Sequence, residues 1–105
     1  MKVLAFDQAT RVTGYAFYED GVLLDSGVID CMKVYNADER FDEMARRIID
    51  KINSCKPDLV IYEDVDMQTK NPTIIKLLAN MQGVIQGKCI VSTIPYLIFK
   101  PSVWR

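Results

Sequence analysis

The chain opens with three short apolar runs that no helical spacing fits. Lys2–Asp7 reads as a strand ending in a carboxylate. Val12–Tyr18 is rich in β-branched and aromatic residues, with Gly14 in its interior, and Val22–Ile29 forms a third run. Glu19-Asp20-Gly21 separates the second from the third, and Asp-Gly is a strong hairpin signal. Three strands with no helix between them predict an antiparallel meander.

The period then changes. Phe41, Met44, Ala45, Ile48, Ile49 and Ile52 recur at spacings of three and four, the stripe of an amphipathic helix. Asn36, with Glu39 three residues later, resembles a capping box in which Asn replaces Ser or Thr. Asp42 with Arg46 and Glu43 with Arg47 fall at i,i+4 on the polar face. Lys56-Pro57 ends this helix. Leu59–Tyr62 is a continuous apolar run, as in a strand covered on both faces, and it ends in Glu63-Asp64. Asn71-Pro72 reads as the N-cap and first residue of a second helix that reaches about Lys88. Tyr96–Phe99 is the last strand. The order βββαβαβ predicts an α/β fold: a mixed five-stranded sheet in the order 3-2-1-4-5, strand 2 antiparallel, with two helices on right-handed crossovers.

Size and composition narrow this picture. The 105 residues, half of them hydrophobic, suit one domain over 1–105. Asp7 interrupts the first apolar run, so no secretory or membrane-spanning segment is read, and a cytoplasmic protein without a membrane role is expected. Histidine is absent, and the three cysteines, Cys31, Cys55 and Cys89, form no CxxC pair. That excludes Cys/His zinc sites and histidine acid–base chemistry. Reduced thiols are expected, with Cys55 and Cys89 as buried small hydrophobes. The formal net charge of -1 weighs against a nucleic-acid partner.

The chemistry left is carboxylate chemistry. Asp7 ends the first strand and Glu63 the fourth, which the strand order makes parallel neighbours of equal length. Both side chains then emerge at one sheet edge, on strands about 4.8 Å apart. Carboxylates so placed can share a divalent cation, and ligands favour the carboxyl ends of parallel strands. A carboxylate after a strand is also commonly a plain solvated loop residue. Asp64 and Asp66 compete with Glu63, although alternation puts Glu63 and Asp64 on opposite faces.

Two segments carry a resemblance. Phe6-Asp7-Gln8-Ala9-Thr10-Arg11-Val12-Thr13-Gly14-Tyr15-Ala16 resembles the opening hairpin of RuvC-type Holliday junction resolvases: an Asp, a turn of small residues, then Arg-x-Thr-Gly-Tyr. Pro57 to Val65 resembles their second motif, a strand closed by a catalytic Glu, and Lys76-Leu77 through Gly83 resembles the helix that follows. The likeness runs along essentially the whole chain. It implies a ribonuclease-H-like fold, two Mg²⁺ or Mn²⁺ ions, a homodimer, and paired nicking of four-way junction DNA. By resemblance, Asp7 and Glu63 are catalytic metal ligands, Asp7 for both ions and Glu63 for one. Arg11 is a candidate phosphate contact, with an ordinary exposed arginine as the alternative. The logic is two-metal hydrolysis, with the ions about 3.5–4 Å apart.

The sequence also departs from that family. Its members use four carboxylates, the last two on a C-terminal helix beyond the fifth strand, and this sequence stops at Arg105. The expectation is therefore a C-terminally truncated domain, without that helix, that cleaves little or nothing. In the family the further segment adds basic residues on the DNA face, which would offset the net charge. Bacterial members often carry a DNA-wedging aromatic three residues after the Glu; Asp66 stands there instead. The loop 67–71 would engage DNA differently, through Lys70, and it resembles the phage or prophage branch of the family. One sheet face would stay uncovered and promote association.

The second helix is apolar over about half its circumference, more than a sheet alone requires. Ile74, Leu77, Leu78, Met81 and Ile85 are candidate dimer contacts, and Gly83 and Gly87 would admit another backbone; packing on the first helix is the alternative. Two rival functions remain open. One is an isolated half of an actin-like ATPase or sugar kinase, which shares a strand, acid and Thr/Gly hairpin. The other is a non-catalytic remnant that dimerises or binds branched DNA.

Overall fold

The computed structural model describes residues 1–65 and 71–100. Its elements follow as β1 (Lys2–Asp7), β2 (Val12–Glu19), β3 (Val22–Asp30), α1 (Ala37–Cys55), β4 (Leu59–Glu63), α2 (Pro72–Val91) and β5 (Tyr96–Phe99). The sheet order is β3-β2-β1-β4-β5, with β2 antiparallel to β1 and β3, and β1, β4 and β5 parallel. This is the order and polarity expected from the sequence.

The local causes are visible in the backbone. Asp20 and Gly21 both take positive φ, 51° and 81°, the geometry of the two-residue turn whose twist matches paired strands. Asn36 caps α1: its side chain accepts from the Asp38 and Glu39 N–H groups at 3.0 Å. Lys56 adopts a left-handed conformation and closes α1 by donating to the Ile52 carbonyl at 3.0 Å. Asn71 caps α2 in the same way, with Pro72 at the first turn.

Two details differ from expectation. On α1, Arg47 pairs with Glu43 at 2.9 Å, but Arg46 also turns to Glu43, at 3.8 Å, rather than to Asp42. And α2 runs past Lys88 to Val91. Cys89 is buried in the core and anchors the extra turn; Thr93, at φ 56°, then reverses the chain and Ile94 N–H bonds the Cys89 carbonyl.

Both helices cover one face of the sheet. Leu4, Phe6, Val60 and Tyr62 point into a core with Met44, Ile48 and Ile52 of α1 and Met81, Ile85 and Cys89 of α2. Cys55 is half-buried against that core and Cys31 is buried. Alternation sends Val3, Ala5, Asp7, Ile61 and Glu63 to the opposite face, which the described helices leave open. Val28, at 64% exposure, and Leu97, at 50%, stand on that face of β3 and β5. Among the described residues no helix is long and apolar enough to cross a membrane.

Candidate active site

The site begins at the carboxyl ends of β1 and β4. Their parallel register pairs Val3 with Leu59 and runs on to Phe6 with Tyr62. The next step along both strands is Asp7 beside Glu63. Both side chains point to the open face, because each follows its buried neighbour, Phe6 or Tyr62, by one residue. Asp7 and Glu63 share an open cleft of about 490 Å³ with Ala5, Gly14, Ala16 and Ile61. Small residues make that room: the β1–β2 register sets Ala5 opposite Ala16 and Asp7 opposite Gly14. A Cβ on Gly14 would sit 3.8 Å from that of Asp7, an ordinary contact, so its smallness keeps the cleft floor low rather than averting a clash.

Asp64 takes a different direction. Its carboxylate accepts from the Val65 N–H at 2.8 Å, while its own N–H donates to the Phe99 carbonyl. Of the two neighbouring acids, Glu63 alone lines the cleft with Asp7. Asp66 and Lys70 lie outside the described residues.

The turn from β1 to β2 is tied down by a residue that sequence reasoning passed over. Thr13 is fully buried, and its hydroxyl both accepts from the Ala9 N–H, at 3.0 Å, and donates to the Ala9 carbonyl, at 2.8 Å. The Arg11 carbonyl accepts from Cys31 N–H at 2.8 Å, while the Arg11 side chain is exposed at this end of the sheet. Gln8 was passed over too. Its side chain bonds both main-chain groups of Glu63. The Thr-Gly pair of the hairpin was a signal for Thr13. Nothing local marked Gln8, because its partner lies 55 residues away.

Beneath the site, Tyr62 is fully buried with its ring 6.1 Å from that of Tyr96, and its hydroxyl has no hydrogen-bond partner among the described residues. Burial pushes its ionisation up to about 12, with the nearby Tyr96, Cys89 and Asp64 adding to the effect.

The candidate dimer residues on α2 divide. Met81 and Ile85 are fully buried in this chain's own core, which is a correction: they are already in contact with the sheet and α1 and have no surface to offer a partner. Towards the N-terminus the same stripe emerges, with Leu77 and Leu78 half-buried and Ile74 45% exposed. Among the described residues, a Cβ at Gly83 or Gly87 would have nothing within 4 Å.

A divalent cation is the group that the two acids suggest. Among the described residues, no cluster of three or more His, Cys, Asp or Glu could hold a metal ion. Asp7 and Glu63 nevertheless fit one kind of site, since Mg²⁺ is commonly held by one or two carboxylates, with water and substrate phosphates completing its shell.

No family model matches the sequence, and no curated protein sequence matches it. The fold does match solved structures. Thermus thermophilus RuvC in complex with a Holliday junction superposes with a TM-score of 0.80 at 15% identity, over 97% of this chain and 66% of that one. The fowlpox virus resolvase bound to Holliday junction DNA gives 0.66 at 19%, over 96% and 61%. The yeast mitochondrial Holliday junction resolvase gives 0.66 at 12%, over 94% and 50%. This chain therefore spans half to two-thirds of the length of those structures. Its mixed sheet and two helices have the ribonuclease-H-like fold of RuvC-type resolvases.

Proposed function

We propose that this chain, which has the fold of RuvC-type resolvases, is a cytoplasmic, metal-dependent nuclease domain over 1–105 that acts on four-way junction DNA. The observation that carries the reading is the pairing of Asp7 and Glu63 in one cleft at the carboxyl ends of adjacent parallel strands. Its support from outside the chain is the likeness to structures solved with Holliday junctions.

In this reading Asp7 and Glu63 bind and orient Mg²⁺ or Mn²⁺. Once bound, such an ion supplies charge stabilisation for phosphodiester hydrolysis. Arg11 holds a phosphate of the backbone, and Lys70 is assigned the same work. Gly14, Ala5 and Ala16 keep the cleft floor low enough for a sugar-phosphate chain to approach the acids. A homodimer built on the emergent end of the α2 stripe, at Ile74, Leu77 and Leu78, suits a substrate with two-fold symmetry.

The test is cleavage of a labelled four-way junction in Mg²⁺ or Mn²⁺ by this chain and by Asp7→Asn. Shape-selective junction binding with little or no cleavage is the expected result for these 105 residues. Symmetric nicks that disappear in the variant would show that Asp7 and Glu63 suffice for cleavage. Neither binding nor cleavage would leave only the fold.

A further inference from the structure

The β1–β4 ladder stops one residue short of the acids. Its last pair is Phe6 with Tyr62, and after Asp7 the β1 chain turns away into the loop towards β2. There a side chain joins the main chain of Glu63. The Gln8 carboxamide donates from Nε2 to the Glu63 carbonyl and accepts from the Glu63 N–H at Oε1, 3.2 Å away. One carboxamide has the donor and acceptor of one peptide unit, so Gln8 extends the ladder by a further rung.

The exit of β4 is held from other sides as well. The Asp64 N–H donates to Phe99 of β5, and the Val65 N–H donates to Oε1 of Gln82 on α2, at 3.2 Å. The loop that carries Gln8 is itself pinned by the buried Thr13 hydroxyl on both main-chain groups of Ala9.

We propose that Gln8 is a positioning residue for the candidate metal site: it clamps the Glu63 backbone to the residue next to Asp7 and so sets the separation of the two carboxylates. The proposal rests on the reading of Asp7 and Glu63 as cation ligands. Its chemistry is specific to a carboxamide of this length. Asn is a methylene shorter, and Glu has no N–H to offer the Glu63 carbonyl. Groups that orient metal ligands typically change metal affinity by about ten- to a hundredfold when removed.

The test is a Mg²⁺ titration followed through backbone amide shifts, on the full chain and on Gln8→Ala, Gln8→Met and Asp7→Asn. Met keeps the length and apolar bulk of Gln8 but neither hydrogen bond, so it separates lost packing from the lost clamp. In the wild type, saturable shifts at Asp7 and Glu63 are expected, and Asp7→Asn abolishes them. Both Gln8 variants should stay folded and bind Mg²⁺ about tenfold or more weakly. Glu63 amide exchange should quicken in them while that of Leu4 and Phe6 is unchanged. A merely structural Gln8 would lower thermal stability and leave the affinity of the folded protein alone. Folded Gln8 variants with wild-type Mg²⁺ affinity would overturn the proposal while leaving the metal site standing. Shifts that survive in Asp7→Asn would instead remove the metal site, and the role of Gln8 with it.

Discussion

Tyr62 puts a hydroxyl into the core with no partner among the described residues. An unsatisfied buried polar group is a cost, so Tyr62→Phe should be neutral or stabilise the fold by up to about 1 kcal/mol, measured by urea unfolding. A clear loss of stability would mean that the hydroxyl has a partner after all. The same burial makes a pH prediction. The folded state keeps the phenol protonated up to about 12, whereas the unfolded chain releases it near the ordinary 10. Between those values the folded state binds more protons, so stability is fully present below the lower value and falls as pH rises through the upper one. The share lost is about 2–3 kcal/mol, and Tyr62→Phe should lack it. At this scale the sequence placed Asp7 and Glu63 at the ends of two strands, because each stands where an apolar run stops. It did not mark Gln8, whose work depends on a backbone that folding brings to it.

At the scale of elements, α2 separates two ideas that its sequence joined. Residues two apart on a helix differ by about 200° in direction, so Gly83 lies opposite Met81 and Ile85. The glycines therefore face away from the stripe that ends in Ile74. With open space at both positions, Gly83→Ala and Gly87→Ala should each raise stability by roughly 0.5–1 kcal/mol by thermal melt, with association unchanged. Weakened self-association in either variant would show that a second chain packs on the glycine face. The strand and helix types were legible from the clean period of α1, the short apolar runs of the strands, and caps at Asn36 and Asn71 whose side chains reach the first turn. The end of α2 was not, since what carries it past Lys88 is the burial of Cys89 against strands from elsewhere in the chain.

For the whole molecule, two apolar surfaces stand out on a chain of net charge -1. One is the open sheet face with Val28 and Leu97; the other is the emergent α2 stripe with Ile74. Light scattering should show association that grows with concentration, and Ile74→Glu should return a monomer with an unchanged melting temperature. If Val28→Glu has that effect and Ile74→Glu does not, the sheet face is the interface and the dimer assigned to α2 falls. The near-neutral charge also sets how junction binding responds to salt. With Arg11 and Lys70 as the assigned phosphate contacts, affinity should fall only shallowly as salt rises, because the slope counts the phosphates neutralised.

The sequence by itself determined the elements, their order and the sheet polarity, since apolar periodicity, turn residues and short connections leave few ways to bury these stripes. It also singled out the two acids at the strand ends. Only the tertiary structure decided that Glu63 rather than Asp64 faces Asp7 across the cleft, that Met81 and Ile85 belong to the core rather than to a partner, and that Gln8 completes the β1–β4 ladder. Each of these turns on which residues meet across long stretches of chain. Register and packing settle that, and local pattern does not encode it.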